Sequence, residues 1–468
     1  MNNVATIILA AGKGTRMKSD LAKVLHPLLG SPMLSYAIAL SLNEVKAEKT
    51  IVVVGHQADQ IEKKFADSRI EFVRQDEQLG TGHAVLQALP AFHGFTGTVL
   101  ILCGDVPLVK AETLRSFIDT FWGNDSTLAV LTAVVKNSTG YGRIIRGEEG
   151  WLERIVEEKD ASDEQRLIRE VNTGIFCVRS TFLIEGLKEI GRENAQGEYY
   201  LTDLAEVARK RGLRCSAHMV ADPMEVMGIN TRVDLATAIE VLRLEKIKEL
   251  MLSGVTIIDP KTTYVDQTVV IGKDTMLYPN CTLQGKTRVG EQCVLEPNLK
   301  ISDTQIGNGV TIRSHCVITE SRIDDGAIIG PFSHLRPQSE VKTKAKIGNF
   351  VEVKNSIIGK GSKANHLAYI GDALVGKEVN IGAGTITCNY DGFEKHQTVI
   401  GDQVFVGSNV ELVAPVKVGD RSSIGAGTTV TKNVPEGALA ISRVKQKNIR
   451  GWSKKMEIQH KQSRKKKD

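Results

Sequence analysis

The sequence predicts two unlike folds in one chain. Residues 1–230 read as a doubly wound, Rossmann-like α/β domain, 231–253 as a long connecting helix, and 254–444 as a left-handed parallel β-helix of hexapeptide repeats. The first observation behind this is a recurring dipeptide. Valine or isoleucine precedes glycine at 271, 289, 306, 329, 347, 358, 370, 375, 381, 400, 406, 418 and 424, but only at 54 and 190 in the first 250 residues. Most intervals are six or a multiple of six, and an aliphatic residue at that period marks a solenoid that stacks three short strands per coil. A β-sandwich fits poorly, because its strands alternate with period two and its turns fall about 8–12 residues apart. Glycine and asparagine are expected at the coil corners, where left-handed backbone is needed. The second observation is the alternation of apolar runs at 6–11, 50–54, 70–73, 99–103 and 128–135 with helix-like segments at 33–42 and 82–89. It predicts a parallel sheet covered on both faces, with ligands at the carboxyl ends of its strands. The third is the stretch 231–253, where Leu235, Ile239, Leu242, Ile247, Leu250 and Met251 recur near helical spacing and Gly254 offers a stop. It reads as a strut between domains or as the last helix of the first.

Composition narrows the class of function. At 468 residues the chain is long enough for two or three domains. Its net charge of +5 is concentrated at one end. Residues 445–468 hold ten Lys and Arg against Glu457 and Asp468, which leaves the remainder net negative, without the overall basicity of a nucleic-acid binder. That basic tail reads as solvated, with 464–467 disordered. Seven scattered cysteines without a CxxC pair fit a reducing compartment better than a disulfide framework or a zinc site. With no secretory signal and no run of about eighteen apolar residues, a cytoplasmic protein is expected, without a membrane or nucleic-acid partner.

Chemistry is suggested where glycine, cations and carboxylates gather. The run 6–11 delivers Gly12-Lys13-Gly14-Thr15-Arg16, a small-residue, basic loop suited to phosphate. It is neither a dinucleotide fingerprint nor a Walker A loop, so it says little alone. Lys23 adds a cation, or is an ordinary surface lysine. Gln78-Leu79-Gly80-Thr81-Gly82-His83-Ala84 offers bare backbone at a strand-to-helix turn. Asp105 ends the apolar run 99–103, well placed for Mg²⁺ or serving as a turn aspartate. In the solenoid the repeat breaks at 361–370, where His366 is either a base near neutral pH or a structural histidine. Arg336 and Lys354 precede it by thirty and twelve residues, spacings that bring cations near it on an eighteen-residue coil. The nineteen-residue step from Ile381 to Ile400 marks an excursion at 388–397.

Together LAAGKGTRM, Lys23, QLGTGHA, GDVPL, Gly140-Tyr141-Gly142-Arg143, Glu157-Glu158-Lys159-Asp160, Asn172-Thr173-Gly174 and Gly228-Ile229-Asn230 resemble, in order, the sugar-1-phosphate nucleotidylyltransferases. With the hexapeptide solenoid, the chain resembles over nearly its whole length the bacterial bifunctional N-acetylglucosamine-1-phosphate uridyltransferase/glucosamine-1-phosphate N-acetyltransferase family. The resemblance implies UMP transfer from UTP to N-acetylglucosamine 1-phosphate, with Mg²⁺ on Asp105 and Asn230. Leu9, Ala10, Ala11, Gly12, Gln75, Gly80 and Thr81 would hold the nucleotide, Arg16 and Lys23 would neutralise phosphates, and Gly142, Glu157 and Asn172 would hold the sugar. It further implies acetyl transfer from acetyl-CoA to glucosamine 1-phosphate. Arg336, Lys354, Tyr369 and Asn380 would bind that acceptor and His366 would be the base. Ala383, Asn389, Tyr390, Ser408, Ala426 and Arg443 would line the acetyl-CoA groove, and the solenoid would form a homotrimer. Cys103, where the family carries an aromatic, and Asn365, where it carries glycine, depart from the pattern. The competing expectation is a sugar-1-phosphate nucleotidylyltransferase whose β-helix is a non-catalytic assembly module.

Overall fold

The computed structural model describes residues 3–147 and 150–464. The chain divides into two compact units, Met1–Lys246 and Ile247–Asp468. In the first unit a seven-stranded sheet runs in the order Cys215–Met219, Leu128–Val134, Glu170–Arg179, Thr98–Cys103, Val4–Ala10, Lys49–Val54, Ile70–Arg74. All neighbours are parallel except Glu170–Arg179, which runs antiparallel to both of its own. The hairpin Arg143–Arg146/Leu152–Val156 hangs from that strand. The central strands are apolar throughout because both faces are covered: Ile7, Ile51, Val99 and Val130 belong to one core, Ile8, Val52, Leu100 and Leu131 to the other. The segment expected to be helical at 33–42 is the α-helix Leu34–Ala39 continued by a wider turn, Leu40–Val45, and that at 82–89 is Thr81–Ala88.

The expected connector is the helix Arg232–Leu252. Leu235, Ala238 and Leu242 are buried in the first unit beside Met17, Leu28 and Ile229, whereas Ile247 and Leu250 are buried in the core of the second. The unit boundary therefore falls inside the helix, and Met251 is exposed.

The second unit is a parallel β-helix of strands two or three residues long, lengthening to nine at Lys346–Lys354 and Lys363–Gly371. Met276 pairs with Val294 and Gln305 with Arg322, steps of 18 and 17 residues. Ile381 pairs with Val406, a 25-residue step that accommodates the excursion at 388–397. Each inward aliphatic stacks on its counterparts above and below, as Ile301, Ile318, Leu335, Val353 and Ile370 do. One expectation fails at the corners. Beside Asn280 and Asn298, one column of left-handed corners carries His315, Phe332, Phe350 and Leu367. The rings of His315 and Phe332 stack at 4.7 Å and those of Phe332 and Phe350 at 5.4 Å, which offsets the backbone strain of a side chain at positive φ. The tail is solvated, as expected, and of the end expected to be disordered only Arg464 lies among the described residues. It forms the exposed helix Trp452–Arg464, made largely of good helix formers after Gly451, while 465–468 lie outside the described residues. No described helix is long and apolar enough to cross a membrane.

Candidate active sites

In the first unit the Val4–Ala10 strand ends in the loop that carries Gly12 and Gly14. Gly14 has φ 61°, and an added Cβ would lie 2.6 Å from Lys23 Cβ, so its bareness lets Lys23 pack beneath the loop. The Lys23 ammonium, 11% exposed, donates to Asp105 Oδ2 and to Asn230 Oδ1 at 2.9 Å, and Arg16 Nη2 donates to the same amide oxygen at 2.8 Å. Asn230 is held there by its neighbours. Ile229 N–H donates to Asp105 O at 2.9 Å, and the Asp234 carboxylate accepts from Asn230 N–H at 3.0 Å. Residues 82 and 207 positions after Lys23 thus meet it at the carboxyl end of the sheet.

Asp105 Oδ2 and Asn230 Oδ1 converge on one cationic atom, a pair of hard oxygen donors of the kind Mg²⁺ accepts. No described group of three His, Cys, Asp or Glu is arranged for a metal. A magnesium ion here would therefore need substrate phosphate oxygens and water for its remaining positions.

The residues expected to hold nucleotide and sugar form two further clusters in this unit. Gly80 has φ 109°, and an added Cβ would lie 2.5 Å from Tyr199 O, which keeps the Gly80–Thr81 turn bare. Gln75, 3% exposed, donates through Nε2 to Gly80 O at 3.1 Å. Thr81 Oγ1 accepts from Leu201 N–H at 3.1 Å. Asn172 N–H donates to Gly142 O at 2.8 Å, and a Cβ on Gly142 would be 3.4 Å from both Glu157 carboxylate oxygens, so Gly142, Glu157 and Asn172 adjoin. Thr202 Oγ1 donates to Glu157 at 3.0 Å, while burial raises that carboxyl's affinity for its proton. Glu157 also borders a cavity of about 580 Å³ lined by Asp160, Tyr200, Asp203 and Glu206. Cys103 fills the space beneath Gly174, 2.8 Å from where a Cβ would stand, and burial pushes its thiol pKa up.

In the second unit the coil register sorts the expected residues into two groups. His366 is paired with Asn349, and its Nδ1 lies 2.8 Å from Asn349 Oδ1. Because a carboxamide oxygen only accepts, Nδ1 carries the ring proton and Nε2 keeps a free lone pair. Asn349, Asn365 and His366 line a cavity of about 260 Å³ with Arg313, Lys346 and Gly348. The strand registers put Ala383, Ser408 and Ala426 on successive coils beyond His366, a column of small side chains. Arg443 Nη1 donates to Ala426 O at 2.6 Å at the far end of this column.

The second group lies past the corner at Leu367. Tyr369 pairs with Glu352, and Lys354 with Gly371. Arg336 Nη1 donates to Glu352 at 2.9 Å, a contact that raises the guanidinium pKa. Lys395, from the excursion, lies against Lys354; a side-chain hydrogen bond with Lys354, and then its charge, lower the Lys395 pKa. Asn389 is buried beside this group, its amide directed to Asp372 and 3.5 Å from the Tyr369 hydroxyl, whereas Tyr390 is exposed. Arg336, Lys354 and Tyr369 therefore gather together. His366 stands on the other side of the corner, and Asn380 is in register with Lys363 instead of Tyr369. Sequence reasoning missed Asn349, Lys395, Thr202 and His83. Two signals were available: Asn349 lies one 17-residue coil before His366, and His83 stands in the Gln78–Ala84 stretch already singled out.

Comparison with known proteins agrees with this two-part arrangement. Residues 6–172 match the MobA-like NTP transferase domain, and 397–432 match the bacterial transferase hexapeptide (six repeats). The chain is 53% identical over 456 residues to the bifunctional protein GlmU of Geotalea uraniireducens, an alignment covering 97% of this chain and 100% of that protein. It is 51% identical to GlmU of Geobacter sulfurreducens over 97% of this chain and 98% of that one. To GlmU of a Geobacillus species it is 47% identical, again over 97% and 98%. The chain belongs to the bifunctional GlmU family.

Proposed function

We propose that the chain is a two-site enzyme of UDP-N-acetylglucosamine synthesis. The second unit transfers an acetyl group from acetyl-CoA to glucosamine 1-phosphate. The first transfers UMP from UTP to the resulting N-acetylglucosamine 1-phosphate and releases pyrophosphate. The observation that carries the reading is that one chain holds both a Lys23/Arg16 pair converging on Asp105 and Asn230, and a histidine with one ring nitrogen tied and the other free.

In the first unit Arg16 and Lys23 neutralise the triphosphate, which leaves the sugar phosphate to attack in line. Such a transfer needs positioning and charge neutralisation and no protein nucleophile. Gln75, Gly80 and Thr81, with the backbone of Leu9, Ala10, Ala11 and Gly12, hold the nucleotide, while Gly142, Glu157 and Asn172 orient the sugar. Asp105 and Asn230 would hold Mg²⁺, which supplies charge stabilisation to the phosphates.

In the second unit Arg336 and Lys354, joined by Lys395, bind the acceptor's phosphate, and Tyr369 and Asn380 orient its ring. The amine is mostly ammonium near neutral pH. His366 Nε2 takes one proton, the amine nitrogen forms its bond to the thioester carbonyl carbon, and the carbon–sulfur bond breaks as a second nitrogen-bound proton passes to the sulfur of the leaving CoA. The small side chains of Ala383, Ser408 and Ala426 leave room for the thiol arm, and Asn389, Tyr390 and Arg443 complete the acetyl-CoA groove. The enzyme works as a cytoplasmic homotrimer assembled through the β-helix. Because Asn380 lies in register with Lys363, apart from Tyr369 within one chain, a neighbouring copy supplies the missing part of the acceptor site.

The test is an assay of purified protein with glucosamine 1-phosphate, acetyl-CoA, UTP and Mg²⁺, with products identified by mass. UDP-N-acetylglucosamine with free CoA and pyrophosphate is expected. A UDP-sugar formed only from pre-acetylated sugar phosphate would reduce the β-helix to an assembly module.

A further inference from the structure

The Gln75 side chain is 3% exposed, and its partners fix which way round its amide lies. Nε2 is 3.1 Å from Gly80 O and 3.0 Å from His83 Nδ1. The other ring nitrogen of His83, Nε2, is 3.1 Å from Gln87 Nε2, one helical turn further on. A carbonyl oxygen only accepts, so Gln75 must turn its NH₂ toward Gly80. That leaves its second N–H for His83 Nδ1, which must then accept. A neutral imidazole has one donor and one acceptor, so the ring proton lies on Nε2; Nε2 of His83 and Nε2 of Gln87 would then both donate, so the Gln87 amide must turn its oxygen to the ring. The ring has little freedom to do otherwise: it stacks on Tyr199 at 6.2 Å, and Tyr199 is tied by backbone hydrogen bonds to Leu79 and Gly82.

The consequence falls on the remaining atom. Gln75 Oε1 has no donor among the described residues, although the side chain around it is almost wholly buried. An acceptor held in that way selects a ring N–H. Uracil offers one at N3, where cytosine has a lone pair. We infer that His83 is a positioning residue for pyrimidine choice: together with Gly80 O it takes both N–H groups of Gln75 and so holds that carboxamide with its oxygen as the open acceptor, which admits a uracil-type imide and rejects cytosine. The inference rests on the reading of Gln75 as part of the nucleotide subsite. His83 itself acts through Gln75.

The test compares kcat/KM for UTP and CTP, with N-acetylglucosamine 1-phosphate as acceptor, in the wild type and in His83→Leu, His83→Asn and Gln75→Ala. Leucine removes one of the two acceptors that hold the Gln75 amide and leaves Gly80 O alone to orient it, so the UTP/CTP ratio should fall about tenfold or more, chiefly through the KM for UTP. Asparagine places an amide oxygen near the position of Nδ1 and should keep most of the ratio. Nitrogen NMR of histidine-labelled wild-type enzyme should show His83 protonated at Nε2 alone. An unchanged ratio in His83→Leu, an equal loss for both nucleotides, or a wild-type ring protonated at Nδ1 overturns the inference. Should His83→Leu fail to fold, the asparagine variant and the ring tautomer decide. The Gln75→Ala arm separates the two levels of the argument. If its ratio equals that of the wild type, the nucleotide-subsite reading fails. If its ratio collapses while that of His83→Leu holds, only the role of His83 fails.

Discussion

As the proposed base, His366 has one ring nitrogen to work with, because Asn349 occupies the other. General bases of this kind contribute roughly 10²–10⁴ in rate, so His366→Ala should lower acetyl transfer by about 10³ and leave UMP transfer unchanged. Asn349→Ala keeps the base but frees its tautomer and should cost about tenfold in kcat. Steady-state assays of the two half-reactions check both; equal loss in the two would refute the separation of sites. A second residue ties the first unit to pH. Burial, and then the carboxylates of Glu206, Glu157 and Asp160, push the Asp203 carboxyl up to about 6, against the opposing pull of Lys210. Unfolded, it titrates near the ordinary value of about 4. Between those values the native state holds the proton more tightly, so stability falls as pH rises from about 4 to about 6 and stays lower above. Asp203→Asn should therefore raise the thermal midpoint near pH 7 and match the wild type near pH 4. An identical difference at both pH values would remove the linkage. At this scale the sequence displayed residues that sit in motifs, such as Lys23, Asp105 and His366. It hid those defined by a partner. Asn349 is an ordinary repeat residue until its coil is stacked, and His83 has no role until Gln75 and Gln87 meet its two nitrogens.

Among elements, the period of the β-helix was readable because each inward position repeats the same contact, whereas its corners were not. A rule that assigns left-handed corners to glycine and asparagine has no place for Phe332 and Phe350, whose stabilisation comes from a ring one coil away. The excursion at 388–397 was visible as a break in the period, but not what it carries. Lys395 lies in that loop and is brought to Lys354 by the way the loop is closed. Asp391 closes it, accepting from the N–H groups of Phe393 and Glu394 at 2.8 Å and from His396 Nε2 at 2.7 Å. These contacts hold its carboxyl well below the usual range. Since the folded pKa is depressed, their stabilisation is present above the unfolded value of about 4 and is lost as pH falls below it. Asp391→Ala should loosen the loop and raise the KM for glucosamine 1-phosphate several-fold, with little change in the KM for UTP. Initial rates with each substrate varied check this; an unchanged acceptor KM would show that Lys395 is held by other means.

For the whole molecule, the division at 246/247 assigns each site to its own core. Arg16, Lys23, Gln75, Asp105, Glu157, Asn172 and Asn230 all lie within Met1–Lys246. Sequence periodicity alone placed the boundary at the ends of the long helix, because a continuous helical pattern does not say which core each apolar residue enters. Here Leu235 and Leu242 enter the first, and Ile247 and Leu250 the second. That difference has a measurable consequence for fragments. Residues 1–252 would carry Ile247 and Leu250 without the β-helix core that buries them, exposing apolar surface of the kind that drives association. Residues 1–246 would end before both. The two fragments should transfer UMP with kcat within about twofold of each other, since neither loses a residue proposed to touch substrate. The longer one should associate at lower concentration, as light scattering would show. Loss of UMP transfer by the shorter fragment alone, with its fold intact by circular dichroism, would mean that residues beyond 246 support the first site and that the two activities share more than a chain.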